Sequence, residues 1–432
     1  MLRPHARDVV LLLLLGLLLA ACTDDESGGP VGTATLDADQ TPAVAGAAAA
    51  PTGVVLEGVP AEYQPVYQEL RTRLEAARDG FADRPAPEGT PALTLELLTA
   101  NGNRGEDLLQ PANLDATRVF LDRFKKLGAA GVTVQIVYPL FDGGFPRHDE
   151  YVEFYRAVVQ EVRQRGLLLL IETSAPFAGT EFSSLRIDYS GKTPEAYLQE
   201  RLDQARAIAH ELQPDYLSLA EEEQTERMLT GLDISDDAYL EFLRSAPVAI
   251  DPPPGVKLGA GSGSWESTEF IQGIIADTPL DYVDIHVYPL SNGFTDYLEV
   301  AAEWASSARA AGKEAVIGES WLYKVSVEEL QGGAEFQEVF GRDAYSFWEP
   351  LDVLFMQTAV ELGRVSGVRL LSYFWSNYLF AYVDYDQVSP GMSQPEVRQT
   401  SNAATWRAVT AGELSATGEE FRRLASEFAE GE

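Results

Sequence analysis

The chain has 432 residues, 45% of them hydrophobic and 10% aromatic, which is enough apolar side chain to rule out wholesale disorder. Acids outnumber bases 67 to 32, for a formal charge of −35, and this field would repel a phosphate backbone, which argues against nucleic acid as a partner. It weakly disfavours polyanionic glycans such as uronates; beyond that the charge reads as a solvated acidic surface.

The chain opens on an export address. Arg3 and Arg7 form a positive n-region, and Val9 to Ala20 form an apolar run with one glycine, Gly16. That run falls short of the ~20 residues a membrane-spanning helix needs, and it suits the h-region of a signal peptide. It ends in Leu19-Ala20-Ala21-Cys22, and Cys22 is the only cysteine. This ending resembles the lipobox of bacterial lipoproteins. The resemblance implies removal of residues 1–21, diacylglycerol on the Cys22 sulfur and an acyl chain on its new amine, a stable membrane anchor. The alternative is an ordinary signal peptide with a chance cysteine. Thr23 rather than Asp follows, which in Gram-negative lipoproteins implies the outer membrane or cell surface. A lone cysteine excludes a disulfide framework.

Residues 22–57, rich in Ala, Gly, Asp, Thr and Pro, have no apolar period and read as a flexible tether. Tyr63, Val66, Tyr67, Leu70 and Leu74 sit at helical spacing and predict a helix over 61–81. With Arg84-Pro85-Ala86-Pro87 it forms a lead-in, 58–90, packed on a main domain of 91–432. From there short β-rich runs alternate with helical periods. Strands are expected at 92–98, 132–138, 167–171, 216–220, 256–260, 282–288, 315–318 and 368–374. Helices are expected between them, the clearest carrying Tyr151, Phe154, Tyr155, Val158, Val159 and Val162, and a last one over 403–428. Eight β-α units predict an α/β fold of the (β/α)8 TIM-barrel type with long loops after strands 7 and 8. A doubly wound open sheet is the alternative, but the turn after the first strand, Thr99-Ala100-Asn101-Gly102-Asn103-Arg104-Gly105, lacks the glycine spacing of a phosphate loop.

In such a barrel, function sits at the carboxyl ends of the strands. Strand 4 ends in Glu221-Glu222-Glu223, strand 6 in His286-Val287-Tyr288, strand 7 in Ile317-Gly318-Glu319-Ser320-Trp321, and strand 8 in Tyr373-Phe374-Trp375. Carboxylates on strands 4 and 7 face each other across the mouth, and a close pair can hydrolyse a glycosidic bond by double displacement. With these strand ends in this order, the sequence resembles the clan of retaining glycosidases on (β/α)8 barrels, nearest the endo-galactanase and related endo-glycanase families, from about Pro91 onward. The resemblance implies that Glu319 is the nucleophile, Glu222 the acid/base, Tyr288 a hydrogen-bond partner of the nucleophile and Trp375 a stacking platform for the sugar. His286, on the same strand face as Tyr288, is equally a site residue or a core histidine.

The sequence departs from the clan at strand 4, where an Asn ordinarily precedes the acid/base. That position holds Glu221 if Glu222 is the acid; sliding the match by one makes Glu221 the acid and puts Ala220 there. Glu172 after strand 3, Tyr138 at the end of strand 2 and Trp321 after the nucleophile are further candidates for binding sugar. Glu96, if it points inward, needs a partner such as an arginine. No histidine pair has metal-ligand spacing and no cofactor motif is present, so neither metal nor cofactor is expected. The sequence thus predicts a membrane-anchored retaining glycoside hydrolase of β-linked neutral glycans. The competing reading is a non-catalytic glycan-binding lipoprotein on a degenerate barrel.

Overall fold

The computed structural model describes residues 58–429, apart from 88, 90, 181, 290–293, 327, 328, 330, 331, 334, 335, 389 and 390. The expected signal peptide, Cys22 and the tether lie outside these residues. Eight parallel strands close into a barrel in sequence order: β1 (Ala92–Glu96), β2 (Gly131–Gln135), β3 (Leu168–Glu172), β4 (Tyr216–Ser218), β5 (Lys257–Gly263), β6 (Tyr282–Val287), β7 (Glu314–Ser320) and β8 (Leu370–Tyr373), with β8 paired back to β1. Strands covered on both faces read as continuous apolar runs, which is why Leu168 to Ile171 and Val316-Ile317 were legible as strands. The strands agree with the expected ones to within a few residues, and the barrel replaces the open-sheet alternative.

Twelve α-helices are described: α1 (Gln64–Ala82), α2 (Pro111–Leu127), α3 (His148–Gln164), α4 (Pro194–Leu212), α5 (Glu223–Thr230), α6 (Asp236–Ile250), α7 (Thr268–Asp277), α8 (Phe294–Ala310), α9 (Phe336–Arg342), α10 (Glu349–Ser366), α11 (Gln394–Ala411) and α12 (Ala416–Ala429). Each buries one stripe. In α3 it is Tyr151, Phe154, Tyr155, Val158, Val159 and Val162, each contributing about 1.5–3 kcal/mol by leaving water. The lead-in helix α1 buries Val66, Tyr67, Leu70 and Leu74 and lies along α10. Two elements differ from the sequence reading. The single helix expected at the end is two, broken at Gly412, whose φ of 78° lies in the left-handed region. The interval between β4 and β5, for which the sequence reading gave no helix bounds, holds two helices, α5 and α6; α6 carries Pro247 in its interior, where proline ordinarily signals an end.

Long loops follow β7 and β8, and a third, 173–193, follows β3. The first two are joined by a bridge between Tyr345 and Val383. Lys324, fully buried after β7, is tied to Asp352 at 2.5 Å and Asp343 at 3.3 Å, anchoring that loop to α10.

The pairing of β6 with β7 is irregular. Asp284 lies opposite Val316, but His286, two residues on, lies opposite Glu319, three residues on. The extra residue in β7 is a bulge, and it turns Glu319 toward the barrel interior although plain alternation would turn it away. Between β5 and β6 the backbones approach so closely that a Cβ at Gly261 would meet the Asp284 carbonyl oxygen at 1.4 Å. Gly261→Ala must therefore part the two strands beneath the mouth. It is expected to cost more than about 3 kcal/mol in urea unfolding; a loss within experimental error would mean that β5 and β6 are not packed this tightly.

Candidate active site

Strand alternation builds the barrel interior in layers. Leu170, Tyr216, Tyr282, Val316 and Leu370 form an apolar floor. Above it lie hydroxyls: Thr133 donates to Ser372 at 2.8 Å, and Ser218 meets the Tyr282 hydroxyl at 2.8 Å. Two residues further along the strands, at the same inward parity, come Glu96, Gln135, Glu172 and His286.

His286 organises this upper layer. Its Nδ1 is 2.8 Å from Glu222 Oε1 and 3.5 Å from Glu319 Oε2, and its Nε2 is 3.6 Å from Glu172 Oε1. Burial alone would lower its pKa, but the carboxyl groups of Glu319, Glu172 and Glu222 around it raise it well above the ordinary histidine value. Glu172 stands 1% exposed with no hydrogen-bond partner on either oxygen, and burial raises its pKa strongly. Asp284, below, accepts from Ser218 and from the Gly318 amide at 2.9 Å. A Cβ at Gly318 would lie 2.2 Å from Glu172 Oε1 and 2.5 Å from Asp284 Oδ1, so glycine is required where the bulge crosses these two carboxyls.

Glu319 accepts from the Tyr288 hydroxyl at 2.6 Å and from the Gln135 amide. Burial pushes its pKa up to about 7, against the pull of His286 and with a push from Glu222. Its two donors favour the carboxylate. Gln135 was not singled out in the sequence, although Thr133 and Gln135, polar at every second position between Val132, Val134 and Ile136, carry the signal of an inward-lining strand. Asn101 links Gln135 at 3.1 Å to Glu96 at 2.8 Å. Glu96 thus has an amide partner rather than the expected arginine, and burial raises its pKa far above the usual range.

The acidic triplet after β4 divides three ways. The Glu222 side chain is 19% exposed and turns to the mouth, against 6% for Glu319. Glu221 turns down to accept the Thr173 amide at 2.8 Å and is raised by burial. Glu223 is fully buried beneath α5, against Ser262. Only Glu222 is therefore brought together with Glu319 through His286.

The aromatic candidates separate as well. Tyr288 stacks on Tyr323 with ring centres 4.8 Å apart and meets Phe374 edge-on at 6.2 Å. Trp375 is half-buried, its ring against Phe340 at 6.0 Å. Phe340 also meets Tyr323 at 5.2 Å, so these rings form one wall beside Glu319. Two expectations are corrected. Trp321 is fully buried, stacked on Tyr378 and beneath Lys324, because the chain after β7 turns it into the helix layer. Tyr138 is buried between Tyr189 and Tyr197 with its hydroxyl on Glu200 of α4, so it ties β2 to α4 and does not face a sugar. Among the described residues, Glu172, His286 and Glu319 present ligand atoms within 4.8 Å of one another, a geometry open to a divalent ion.

No family model matches the chain, and no curated protein does. Solved structures of similar shape include a fungal β-1,4-galactanase (15% identity, 67% of this chain and 91% of that one, TM-score 0.42). An exo-β-1,4-mannosidase from Opitutaceae bacterium strain TAV5 has 14% identity over 79% of this chain and 60% of that one, with a TM-score of 0.47. A GH26 β-mannanase from Bacteroides ovatus has 13% identity, 79% and 94% coverage and a TM-score of 0.41. At these scores the likenesses carry no functional argument.

Glu96, Glu172 and Glu221 are held protonated by burial in the folded chain, whereas unfolded they ionise above about pH 4.3. Their contribution to stability is complete below that value and declines as pH rises toward their folded pKa. The melting temperature should therefore fall as the pH rises from about 5 toward neutrality, and Glu172→Gln should flatten the slope. A melting temperature that rises over this interval would mean these carboxyls are ionised in the fold.

Proposed function

We propose that the chain is a retaining glycoside hydrolase of neutral or weakly charged β-linked glycans, held at a bacterial membrane surface by lipid on Cys22. The observation that carries this reading is that one nitrogen, His286 Nδ1, lies within 3.5 Å of both Glu222 and Glu319. Their nearest oxygens can be no further apart than those two distances together, which is less than the roughly 6.5–9.5 Å of inverting pairs. Such a spacing leaves no room for a water molecule beside a sugar ring held between them, as an inverting pair requires.

In this reading Glu319 attacks the anomeric carbon as the C–O bond breaks, and Glu222 gives its proton to the departing oxygen. A glycosyl ester on Glu319 results. Glu222, now a carboxylate, takes a proton from water as that water displaces Glu319 and restores both groups. Tyr288 and Gln135 favour the ionised form of Glu319, and His286, within 3.5 Å of both groups, favours the carboxylate on whichever of the two carries the charge. Trp375, with Phe340 and Tyr323 beside it, offers the apolar face on which a sugar ring stacks.

A non-catalytic, glycan-binding role is favoured by one observation: Glu221, where an Asn would contact the sugar 2-hydroxyl, is turned down onto Thr173. Reducing-sugar release by the full-length protein in detergent across a polysaccharide panel separates the two. Activity on one glycan that is lost by about 10³-fold or more in Glu319→Gln supports the nucleophile; binding without release from any glycan supports the alternative.

The pH profile checks the pair. Because Glu319 must be ionised, kcat/KM should rise with pH through about 7. Tyr288→Phe removes a donor to the carboxylate, raises that pKa and should move the acid limb to higher pH. A limb unmoved by this change would exclude Tyr288 as the partner of the nucleophile. The anchor is tested separately: Cys22→Ser should abolish labelling by radioactive palmitate and release the protein from membranes, and a variant still labelled and membrane-bound would refute lipidation at Cys22.

A further inference from the structure

An N-terminal helix residue at the cap position ordinarily turns its side chain back to accept one of the helix's first amides. Glu222 occupies that position on α5 and does not; its carboxyl is on His286 instead. The open amide is filled from another loop. Glu266, after β5 and 2% exposed, accepts the Gln224 amide at 3.0 Å on one oxygen and the Gly263 amide at 2.8 Å on the other. Beneath it, Ser262 Oγ lies 2.9 Å from Glu266 Oε2 and 3.0 Å from Glu223 Oε2.

One hydroxyl carries one hydrogen, so Ser262 can donate to only one of these carboxyls, and the other must be an acid donating to Ser262. Glu266 already accepts two backbone amides, which favours its carboxylate, and Glu223 has a second oxygen with no partner. The proton therefore sits on Glu223, and the order of donation is Glu223 to Ser262 to Glu266.

We propose that Glu266, with protonated Glu223 and Ser262, is a cap supplied in trans that holds the start of α5 and so aims Glu222 at the leaving oxygen. All three are positioning residues, and the proposal rests on the reading of Glu222 as acid/base. The groups facing the pair are Glu222 from the end of β4, Arg227 from α5 and Tyr239 from α6. Burial raises both carboxyls, Glu223 to about 7; the charge of Glu223 adds to the rise at Glu266, whereas Glu266, Arg227 and Ser262 oppose it at Glu223. Loss of the shared proton leaves two buried anions facing each other, and the helix start must part from β5.

The test compares leaving groups, using aryl glycosides of whichever sugar the full-length protein cleaves. A dinitrophenolate departs without a proton and a methylumbelliferyl or sugar alcohol far less readily. In Glu266→Ala, turnover of the poor leaving group should fall by about 10²-fold, while cleavage of the dinitrophenyl glycoside persists and added azide accelerates turnover. Glu223→Gln, whose amide can donate to Ser262 as the acid does, should restore what Glu223→Ala loses and extend activity to more alkaline pH. Equal slowing on both leaving groups in Glu266→Ala, or Glu223→Gln no better than Glu223→Ala, overturns the proposal. Hydrogen exchange at the Gln224 amide reads the cap without any activity: it should quicken in Glu266→Ala, and unchanged protection would also overturn it. If no glycoside is cleaved while Gln224 responds as expected, it is the glycosidase reading that fails and the cap that stands.

Discussion

His286 stands among Glu172, Glu222 and Glu319 with a ring nitrogen within 3.6 Å of each, and the chemistry of the barrel mouth depends on that crowding. Carboxyl groups out of water cannot all be charged side by side. A single imidazolium offsets part of the charge, and bound protons offset the rest: burial raises Glu96, Glu172 and Glu221 well above the solution range. Glu222 and Glu319 stand at the mouth of this cluster, and one nitrogen of His286 holds them in register.

The same crowding reaches into the backbone. Asp284 and Glu172 fill the space where position 318 would carry a side chain, so glycine stands there and its amide serves Asp284. Layering matters equally. An apolar floor and a tier of hydroxyls separate the acids from the bottom of the barrel, so their hydrogen bonds run sideways between strands and fix the angular position of each carboxyl. Loops then decide what is reachable: the chain after β8 leaves Trp375 half-open beside the pair, and the chain after β7 carries Trp321 away from it.

Much of this was legible in the sequence because a barrel converts chain order into angular order. Eight apolar runs gave the strands, and the residues that end them gave Glu222, His286, Tyr288, Glu319 and Trp375 as neighbours. The failures have physical causes. Trp321 and Trp375 look alike, each an aromatic just past a strand; the left-handed backbone at Trp375 (φ 49°) and the stacking of Trp321 on Tyr378 separate them, and neither has a local signature. Tyr138 was assigned by strand position, but its orientation depends on Glu200, far along the chain. Of three consecutive glutamates, no spacing argument could say which would turn to the mouth, because their directions are set by Thr173, His286 and Ser262 on three other strand ends. Glu266 caps a helix that begins more than forty residues before it, a relation that no local pattern carries.

The bulge in β7 has a consequence of a different kind. Because it supplies one residue beyond the register of β6, the aim of Glu319 is a matter of counting rather than of side-chain chemistry. Any residue placed at 319 would face the mouth so long as the bulge persists. Were the same residues to run in plain alternation from Val316, with the bulge flattened, the carboxylate would swing into the helix layer with every letter of the motif still present. This short stretch is thus more sensitive to its register against β6 than to most exchanges of its letters, with Gly318 the one position where a side chain has no room.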